Sequence, residues 1–566
     1  MSPEHVAVAF GHGLGALWAP HVSLTGSEAE VVAHIRRLET AGTRWVWWSA
    51  AEGARPLVAA GVALARCWDI AEAHRLAYGG WLADAGRCWS AVRGLDETTL
   101  PGAPTGDLFE VAATTDAALP EDELVRPDGH LRPDAVRGDW QRTPGRLLRW
   151  ARTAYDVAEL QRSALNEAGP RAVTTAHSES AAALLCEELA RDGLPIDRVC
   201  AEQLIAQAAG PRTRSEGEAA EVRRDRDQAV LRHAAGNAAA AAAVDLRNPA
   251  QVRQLLAGVG IVVPNTRKWV LEPYRETHPI VDALLLWRKA ERIATTYGYS
   301  WLDSHVGPDD RLRGGWTACD GGAGRMTAQN GLHNLPAALR PAVAAQPDHV
   351  FVRADLGQIE PRVLAVVSGD PRFAAATQAD DLYAPVAAAL GVERPVAKVA
   401  VLAAMYGQRS GAAGEALKGL ERAYPVAMGF LDRAYAVGLA RGSLRTFGGR
   451  LIRSGSVLAE GDDGTLAARD AARGRFVRNA VIQGAAAELF KAWAATVRAM
   501  TADLGAQIVL CLHDELLVHA PVEHAEEVRT RVVSSLEDSA RRWSGSSAVR
   551  FVADASIISR WSDAKG

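Results

Sequence analysis

Near its C-terminal end the chain reads Val509-Leu510-Cys511-Leu512-His513-Asp514-Glu515-Leu516-Leu517-Val518. Two apolar runs of strand-favouring residues flank the polar His-Asp-Glu, which predicts a buried β-hairpin with a polar turn at its tip. Successive side chains of a strand point to opposite faces, so Asp514 and Glu515 are not expected to serve the same site. One carboxylate should face a reaction centre, although acidic residues at hairpin tips are most often simply solvated. A second acidic stretch elsewhere in the chain is needed to distinguish these two interpretations.

The partner stretch reads His349-Val350-Phe351-Val352-Arg353-Ala354-Asp355-Leu356-Gly357-Gln358-Ile359-Glu360-Pro361-Arg362. It predicts a short buried strand that ends at Asp355, then a turn, then a helix with Pro361 in its first turn. Asp355 and Asp514 are therefore both expected at strand ends of one sheet. Two such carboxylates could hold a pair of divalent ions about 3.5–4 Å apart, the arrangement that serves in-line phosphoryl transfer.

A third stretch, residues 394–407, predicts a helix. Arg394, Lys398, Leu402 and Tyr406 are spaced by four, which places them on one stripe of that helix. Free amide donors and side-chain charge converge at a helix N-terminus that carries Arg and Lys, so a polyphosphate could bind there. A surface helix with two solvated cations is the alternative interpretation.

In this order, the three stretches resemble the polymerase motifs of family A DNA polymerases, the DNA polymerase I type. The family's DYSQIELR motif corresponds to residues 355–362, its RxxxKxxxFxxxYG motif to residues 394–407, and its HDE hairpin to residues 513–515. Flanking segments agree. Gly324-Arg325-Met326 and Leu332-His333-Asn334-Leu335-Pro336 resemble the family's GRLSS…LQNIP region, and residues 475–484 resemble its RxxxNxxxQG helix.

The resemblance implies a two-metal nucleotidyl transferase that uses two Mg²⁺ ions, with Mn²⁺ as an alternative. Asp355 and Asp514 would ligate both ions with help from the Leu356 carbonyl, and Lys398 would give a proton to the leaving pyrophosphate. The implied dNTP-binding residues are Arg394, Lys398, Leu402, Tyr406, Gln358, Glu360 and His513. The implied contacts to primer-template DNA are Arg325, His333, Asn334, Arg475, Asn479, Gln483 and Glu515. Glu360 would exclude ribonucleotides, and Tyr406 would stack near the templating position.

Three departures from the family pattern affect the expected activity. Leu402 stands where the family has Phe or Tyr, the ring that packs on the nucleotide sugar. Pro395 directly follows Arg394, which would start the helix at this point. Gly331 and His333 replace the family's Asn and Gln in the template-contact region. None of these changes removes an implied metal ligand.

The implied fold is α+β and multidomain. A right-hand polymerase, with an antiparallel palm sheet and helical fingers and thumb, would follow an α/β RNase H-like exonuclease-type domain. The expected divisions are residues 1–165 for the exonuclease-like domain, 166–310 for the thumb, 311–372 and 456–566 for the palm, and 373–455 for the fingers.

Residues 1–165 lack the carboxylates with which 3′→5′ exonuclease chemistry holds its two ions. The runs Val6–Phe10 and Trp45–Ser49 contain no DxE, and Trp150 and Ala154 stand where the family's Tyr and Asp are expected. Asp69 is the one candidate remnant. We therefore expect a degenerate exonuclease-like domain, and the family's separate 5′ nuclease domain has no room in the chain.

The amino-acid composition indicates the broad class of protein. The 566 residues are 48% hydrophobic and 23% charged. They contain no apolar run that could span a membrane and no basic, apolar leader. Six scattered cysteines without CxxC spacing argue against a zinc site and a disulfide framework. The net charge of -4 decides nothing, because a DNA enzyme needs only a local positive track. We expect a cytoplasmic, nucleoid-associated monomer without a membrane partner.

The leading hypothesis is a template-directed DNA polymerase of replication or repair, which adds dNTPs to a primer 3′ end without proofreading or 5′ nuclease activity. A catalytically weak, polymerase-like scaffold that binds primer ends is the alternative; the intact Asp355 and Asp514 count against it and Leu402 favours it. A metal-dependent phosphohydrolase built on His513-Asp514 would need more His ligands than His333 and His349 could supply.

Overall fold

The hairpin around His513-Asp514-Glu515 lies inside a four-stranded sheet in the computed structural model. Its strands, numbered in chain order along the whole protein, are β13 (Gln507–Cys511) and β14 (Glu515–Pro521). They join β10 (His349–Leu356) and β15 (Ala553–Ile558) in the order β13-β14-β10-β15. The β10–β14 pair is antiparallel and sets Asp355 opposite Glu515. The predicted hairpin, the strand before Asp355 and their shared sheet are confirmed.

The structure describes residues 4–39, 42–101, 119–234, 244–407, 413–457 and 465–564. The alanine run of residues 238–243, whose composition favours a helix, lies outside these ranges. The chain divides into two units. The first contains Met1–Asp192, Gly315–Ala328 and Asp348–Ile557, and the second contains Gly193–Gly314, Gln329–Pro347 and Ile558–Gly566.

The N-terminal part of the first unit is built on a five-stranded sheet with the order β3-β2-β1-β4-β5. Its strands are β1 (His5–Gly11), β2 (Leu14–Ala19), β3 (Val22–Ser27), β4 (Arg44–Trp47) and β5 (Arg66–Asp69). The first three strands are antiparallel, whereas β1, β4 and β5 run parallel. The helices of this part are Glu28–Glu39, Ala50–Gly53, Arg55–Ala59, Ile70–Tyr78, Ala85–Arg93, Pro133–Val136, Pro144–Ala168 and Ala172–Asp192.

The rest of the first unit surrounds the four-stranded sheet with helices. These are Ile359–Ser368, Pro371–Ala376, Tyr383–Leu390, Arg394–Tyr406, Ala413–Ala423, Pro425–Leu439, Leu466–Thr501 and Ala525–Ser544. Two antiparallel pairs complete it, β8 (Trp316–Asp320) with β9 (Arg325–Ala328) and β11 (Ser443–Arg445) with β12 (Leu451–Arg453). Every residue from Leu516 to Ala520 on β14 is buried, which explains why its apolar run shows so little alternation.

The second unit is mainly helical. Its helices are Arg198–Ala209, Glu216–Leu231, Pro249–Gly258, Lys268–Leu271, Pro279–Thr296 and Tyr299–His305, and its strands β6 (Leu194–Pro195) and β7 (Arg311–Leu312) pair antiparallel. The apolar pattern of residues 279–303 predicts a single long helix; this prediction is wrong, because the helix breaks at Tyr297-Gly298. The Tyr297 hydroxyl donates to the Asn334 carbonyl at 2.8 Å, and a Cβ at Gly298 would lie 2.8 Å from the Ala294 carbonyl oxygen. The helix therefore breaks where Tyr297 is hydrogen-bonded to Asn334 and where the backbone of Gly298 lies close to that of Ala294.

A charged cluster lies in the interior of the first unit. Glu179, on the helix Ala172–Asp192, is fully buried and pairs with Lys491 and with Arg450, the latter at 2.7 Å. The Lys491 ammonium group also donates to the carbonyl oxygen of Gly324 at 2.8 Å. The cluster therefore ties together four segments that are far apart in sequence.

Every helix of the described residues is too short or too polar to cross a membrane.

Candidate active site

A cavity of about 370 Å³ lies at the tip of the hairpin, in the first unit. Its wall combines the turn after β10, the helix Arg394–Tyr406, the long helix Leu466–Thr501 and the hairpin turn. Most of the predicted nucleotide-binding residues line it. The polar and titratable side chains of the lining are Arg325, Gln358, Glu360, Tyr383, Lys398, Tyr406, Gln483, His513 and Asp514.

Asp355 lies near the end of β10, and Asp514 lies in the hairpin turn directly before β14. The Leu356 amide donates to the Asp514 carbonyl at 2.7 Å, which holds the end of β10 against the hairpin turn. Burial and the neighbouring Asp514 carboxylate raise the pKa of Asp355 to about 6. Burial and the adjacent Glu515 also raise the pKa of Asp514. Negative charge is thus concentrated where a cation would relieve it.

Glu515, the third carboxylate of this region, does not line the cavity. Its Oε1 accepts a hydrogen bond from Arg353 Nε at 2.8 Å, and only 8% of its side chain is exposed. The same guanidinium contacts Asp355 Oδ2 at 3.0 Å. The side chains of Asp514 and Glu515 therefore lie in different environments, as expected for neighbouring residues whose side chains point in different directions.

The helix Arg394–Tyr406 begins where predicted, with Pro395 in its first turn. Lys398, Leu402 and Tyr406 all line the cavity. Arg394 does not line the cavity with them. Its Nε donates to Asp381 Oδ2 at 2.5 Å, and about half of its side chain is exposed.

Glu360 is the centre of a polar network inside the cavity. Its Oε1 pairs with Arg325 at 2.8 Å and its Oε2 accepts from the Tyr406 hydroxyl at 3.2 Å. Burial and the charge of Glu360 raise the pKa of Tyr406, which keeps this phenol protonated as a donor. Gln483 shares a hydrogen bond with the same tyrosine. The network fixes the Glu360 carboxylate against one side of the cavity.

The sequence and the fold were compared with known proteins. A family model described as DNA polymerase family A matches residues 219–563, more than half of the chain. The chain belongs to DNA polymerase family A. It is 32% identical over 301 residues to the DNA polymerase I of Chloroflexus aurantiacus, a match that covers 47% of this chain and 31% of that protein. It is 31% identical over 293 residues to the thermostable DNA polymerase I of Thermus thermophilus, covering 47% of this chain and 34% of that relative.

These matches span about a third of the length of the two relatives. A solved structure resembles nearly the whole chain, with a TM-score of 0.69 at 19% identity and coverage of 99% of this chain and 96% of that chain. It is the POL domain of Pol1 from M. smegmatis in complex with DNA primer-template and dNTP. The likeness confirms the predicted fold class, an α+β polymerase fold.

Family A DNA polymerases generally use divalent metal ions. Among the described residues, no group of three or more His, Cys, Asp or Glu side chains could hold a metal ion. Mg²⁺, however, is often held by only one or two carboxylates together with substrate phosphates and water. The adjacent carboxylates of Asp355 and Asp514, all-oxygen donors in a region of excess negative charge, fit that requirement.

The predicted DNA contacts fall in both units. Arg475, Asn479 and Gln483 follow one another at intervals of four on the long helix Leu466–Thr501; Arg475 is exposed and Gln483 lines the cavity. His333 and Asn334 belong to the second unit, in the short 3₁₀ helix Leu332–Asn334. Of the predicted DNA contacts, Arg325 and Gln483 therefore line the cavity.

Three residues of the site were missed from the sequence. Tyr383 is 4% exposed and lines the cavity, and burial and the charge of Glu360 raise its pKa to about 12. Asp381 binds both Arg394 and the Gln358 amide, the latter at 3.3 Å. Arg353 could have been found, since a charged residue two positions before Asp355 in an apolar strand must share its face.

A second cavity, of about 440 Å³, lies at the ends of β4 and β5, and its lining includes Glu52, Asp69, Glu72 and Asp84. Asp69, the candidate remnant acid, is 1% exposed and caps the helix Ile70–Tyr78 by accepting from the Glu72 amide at 2.9 Å. Its other oxygen accepts from Trp47 and from the Ala50 amide. Trp150 packs on Trp48, with ring centroids 4.6 Å apart. Asp69 thus has a complete structural role.

Proposed function

We propose that this protein is a template-directed DNA polymerase that adds deoxynucleotides to a primer 3′ end. The observation that carries the proposal is that Asp514 lines a cavity together with Lys398 and Tyr406, while the end of β10 that carries Asp355 is hydrogen-bonded to the same hairpin turn. Carboxylates on one side and a cation on the other are what a nucleoside triphosphate and its metal ions need.

The proposed division of labour follows from these positions. Asp355 and Asp514, with the Leu356 carbonyl, would hold two Mg²⁺ ions, which would supply positive charge to neutralise the attacking and leaving oxygens. Lys398 holds the triphosphate and gives a proton to pyrophosphate, and Arg394 supports the same phosphates from the helix N-terminus. Leu402, Tyr406, Gln358 and His513 position the nucleotide. Arg325, His333, Asn334, Arg475, Asn479, Gln483 and Glu515 remain the predicted contacts to primer and template.

The remaining predictions belong to the same proposal. The five-part division into exonuclease-like domain, thumb, fingers and two palm segments assigns the cavity to palm and fingers. Because its proposed substrate is DNA, the protein would act at the nucleoid. We also expect it to act as a monomer.

Primer extension tests the proposal. A recessed primer-template with Mg²⁺ and single dNTPs should be extended only by the nucleotide complementary to the template. A primer-end scaffold is the second candidate, favoured by the contact of Arg353 with Asp355. The scaffold would bind the primer-template in a gel-shift assay and leave the primer unextended with Mg²⁺ or Mn²⁺.

We further propose that the N-terminal region lacks 3′→5′ exonuclease activity. Support comes from Ala7, Ala9, Ala73, Trp150 and Ala154, which pack in one apolar core together with Trp48. Two buried carboxylates, Asp69 and Glu72, lie beside that core, and both already have protein partners: Asp69 accepts from the Ala50 and Glu72 amides, and Glu72 pairs with Arg75.

The matching prediction is that a primer with a mismatched 3′ end stays at full length when incubated with Mg²⁺ and no nucleotides. A proofreading polymerase run in parallel should shorten the same primer within minutes. Shortening by the present protein at a comparable rate would contradict the proposal.

Glu360 offers a prediction about sugar selection. The Glu360→Ala variant should raise ribonucleotide incorporation relative to deoxyribonucleotide incorporation by about tenfold or more, because the side chain no longer obstructs the space that a 2′-hydroxyl would occupy. The ratio of kcat/KM for ATP and dATP measures the effect. Glu360→Gln keeps the size of the side chain and is the matched control, expected to stay near the wild-type ratio. An unchanged ratio in Glu360→Ala would remove Glu360 from this role.

A further inference from the structure

A buried arginine lies among the carboxylates of the candidate site. Arg353 and Asp355 are two residues apart on β10, so their side chains share a face of the sheet, and Glu515 lies opposite Asp355 on β14. Arg353 bridges the two, with Nε on Glu515 at 2.8 Å and Nη2 on Asp355 at 3.0 Å. Only 10% of the arginine side chain is exposed. The guanidinium is thus a fixed internal cation.

The ion pair with Arg353 limits how the Asp355 carboxylate can bind a metal ion. A carboxylate has two oxygens, and Arg353 already occupies Oδ2 of Asp355. The charges of Asp514, Glu515 and Asp554 act on the same carboxylate, so Arg353 is a single cation set against several anions. A divalent ion bound at Asp355 would lie within a few ångströms of this positive charge, where repulsion is poorly screened.

We propose that Arg353 is a positioning residue that orients Asp355 and Glu515 before metal binds and lowers the affinity of the free site for divalent ions. The inference rests on the proposed function, because it takes Asp355 and Asp514 as metal ligands. Triphosphate oxygens bring additional negative charge and further ligands, so the site should hold its ions well only when nucleotide is present. Arg353 therefore couples metal binding to nucleotide binding.

Mn²⁺ alone is the probe for the test. Free Mn²⁺ is measured by electron paramagnetic resonance during titration of the full chain, without DNA or nucleotide. The Arg353→Gln variant keeps a donor for Glu515 but removes the charge, and should bind Mn²⁺ about tenfold more tightly than the wild type. Arg353→Lys keeps the charge and should stay within about threefold of the wild type. Adding dATP should narrow the difference between Arg353→Gln and the wild type.

Two controls separate the possible failures. Arg531→Gln removes an arginine from an exposed ion pair with Asp503 and should leave Mn²⁺ binding unchanged. Asp514→Asn should weaken it, and if that variant binds Mn²⁺ as the wild type does, the proposed metal site itself is wrong. If Asp514→Asn weakens binding but Arg353→Gln binds no more tightly than the wild type, only the inference about Arg353 fails.

The Arg353→Gln variant leaves Glu515 buried without its cation, which endangers folding. A second comparison avoids this difficulty, because Glu515→Gln removes the buried negative charge first. Arg353→Gln added to Glu515→Gln should bind Mn²⁺ about tenfold more tightly than Glu515→Gln alone. Equal or weaker binding by the double variant would overturn the inference.

Discussion

Asp514→Asn is expected to lower the rate of primer extension by at least about a thousandfold, which corresponds to a loss of about 4 kcal/mol of transition-state stabilisation. Asn has nearly the size of Asp and keeps one oxygen, so the hairpin turn and its hydrogen bond to Leu356, which uses the Asp514 backbone carbonyl, should remain. The charge that would hold the metal ions is lost. Single-turnover incorporation of one complementary dNTP with Mg²⁺ measures the effect on the chemical step.

A matched control distinguishes this loss from a general effect of the substitution. Asp503 also lies near the hairpin in sequence but pairs with Arg531 at the surface, so Asp503→Asn should extend primers at the wild-type rate. Binding of primer-template DNA by Asp514→Asn should stay within a few-fold of the wild type. Extension by Asp514→Asn at more than about a tenth of the wild-type rate would show that this carboxylate holds no essential ion.

The parts of the site that the sequence predicts are those in which local periodicity carries the information. The two apolar runs around His513 predict the hairpin, and the alternation along a strand explains why Asp514 and Glu515 separate. Spacing by four predicts that Lys398, Leu402 and Tyr406 share one face of a helix, and all three line the cavity. Such patterns depend only on residues close together in the chain.

What the sequence leaves open depends on contacts between distant segments. The pairing of Arg394 with Asp381 joins the helix Arg394–Tyr406 to the bend before the helix Tyr383–Leu390, and the place of Tyr383 in the cavity follows from how these two helices pack. The break at Tyr297-Gly298 accompanies a hydrogen bond to the 3₁₀ helix Leu332–Asn334, more than thirty residues away. None of these contacts has a signature in the local pattern, so only the folded chain reveals them.

The cluster of Glu179, Lys491 and Arg450 is a case in which distant contacts control stability. Burial alone would raise the pKa of Glu179, but the charges of Arg450 and Lys491 outweigh burial and hold it below its ordinary value. A carboxyl whose pKa is lower in the folded state stabilises the protein above its unfolded pKa, and this stabilisation is lost as pH falls toward the folded pKa. At neutral pH its full contribution is therefore present.

Glu179→Gln is accordingly expected to lower the free energy of unfolding at pH 7 by about 3–5 kcal/mol, because two buried cations would be left without their anion. Urea denaturation followed by tryptophan fluorescence measures the change. Glu187→Gln is the matched control on the same helix: Glu187 pairs with Arg55, whose side chain is 64% exposed. Its loss should cost no more than about 1 kcal/mol. If both variants unfold at the same urea concentration, the buried cluster contributes no more than a surface ion pair, and the helix Ala172–Asp192 must be held by its apolar contacts alone.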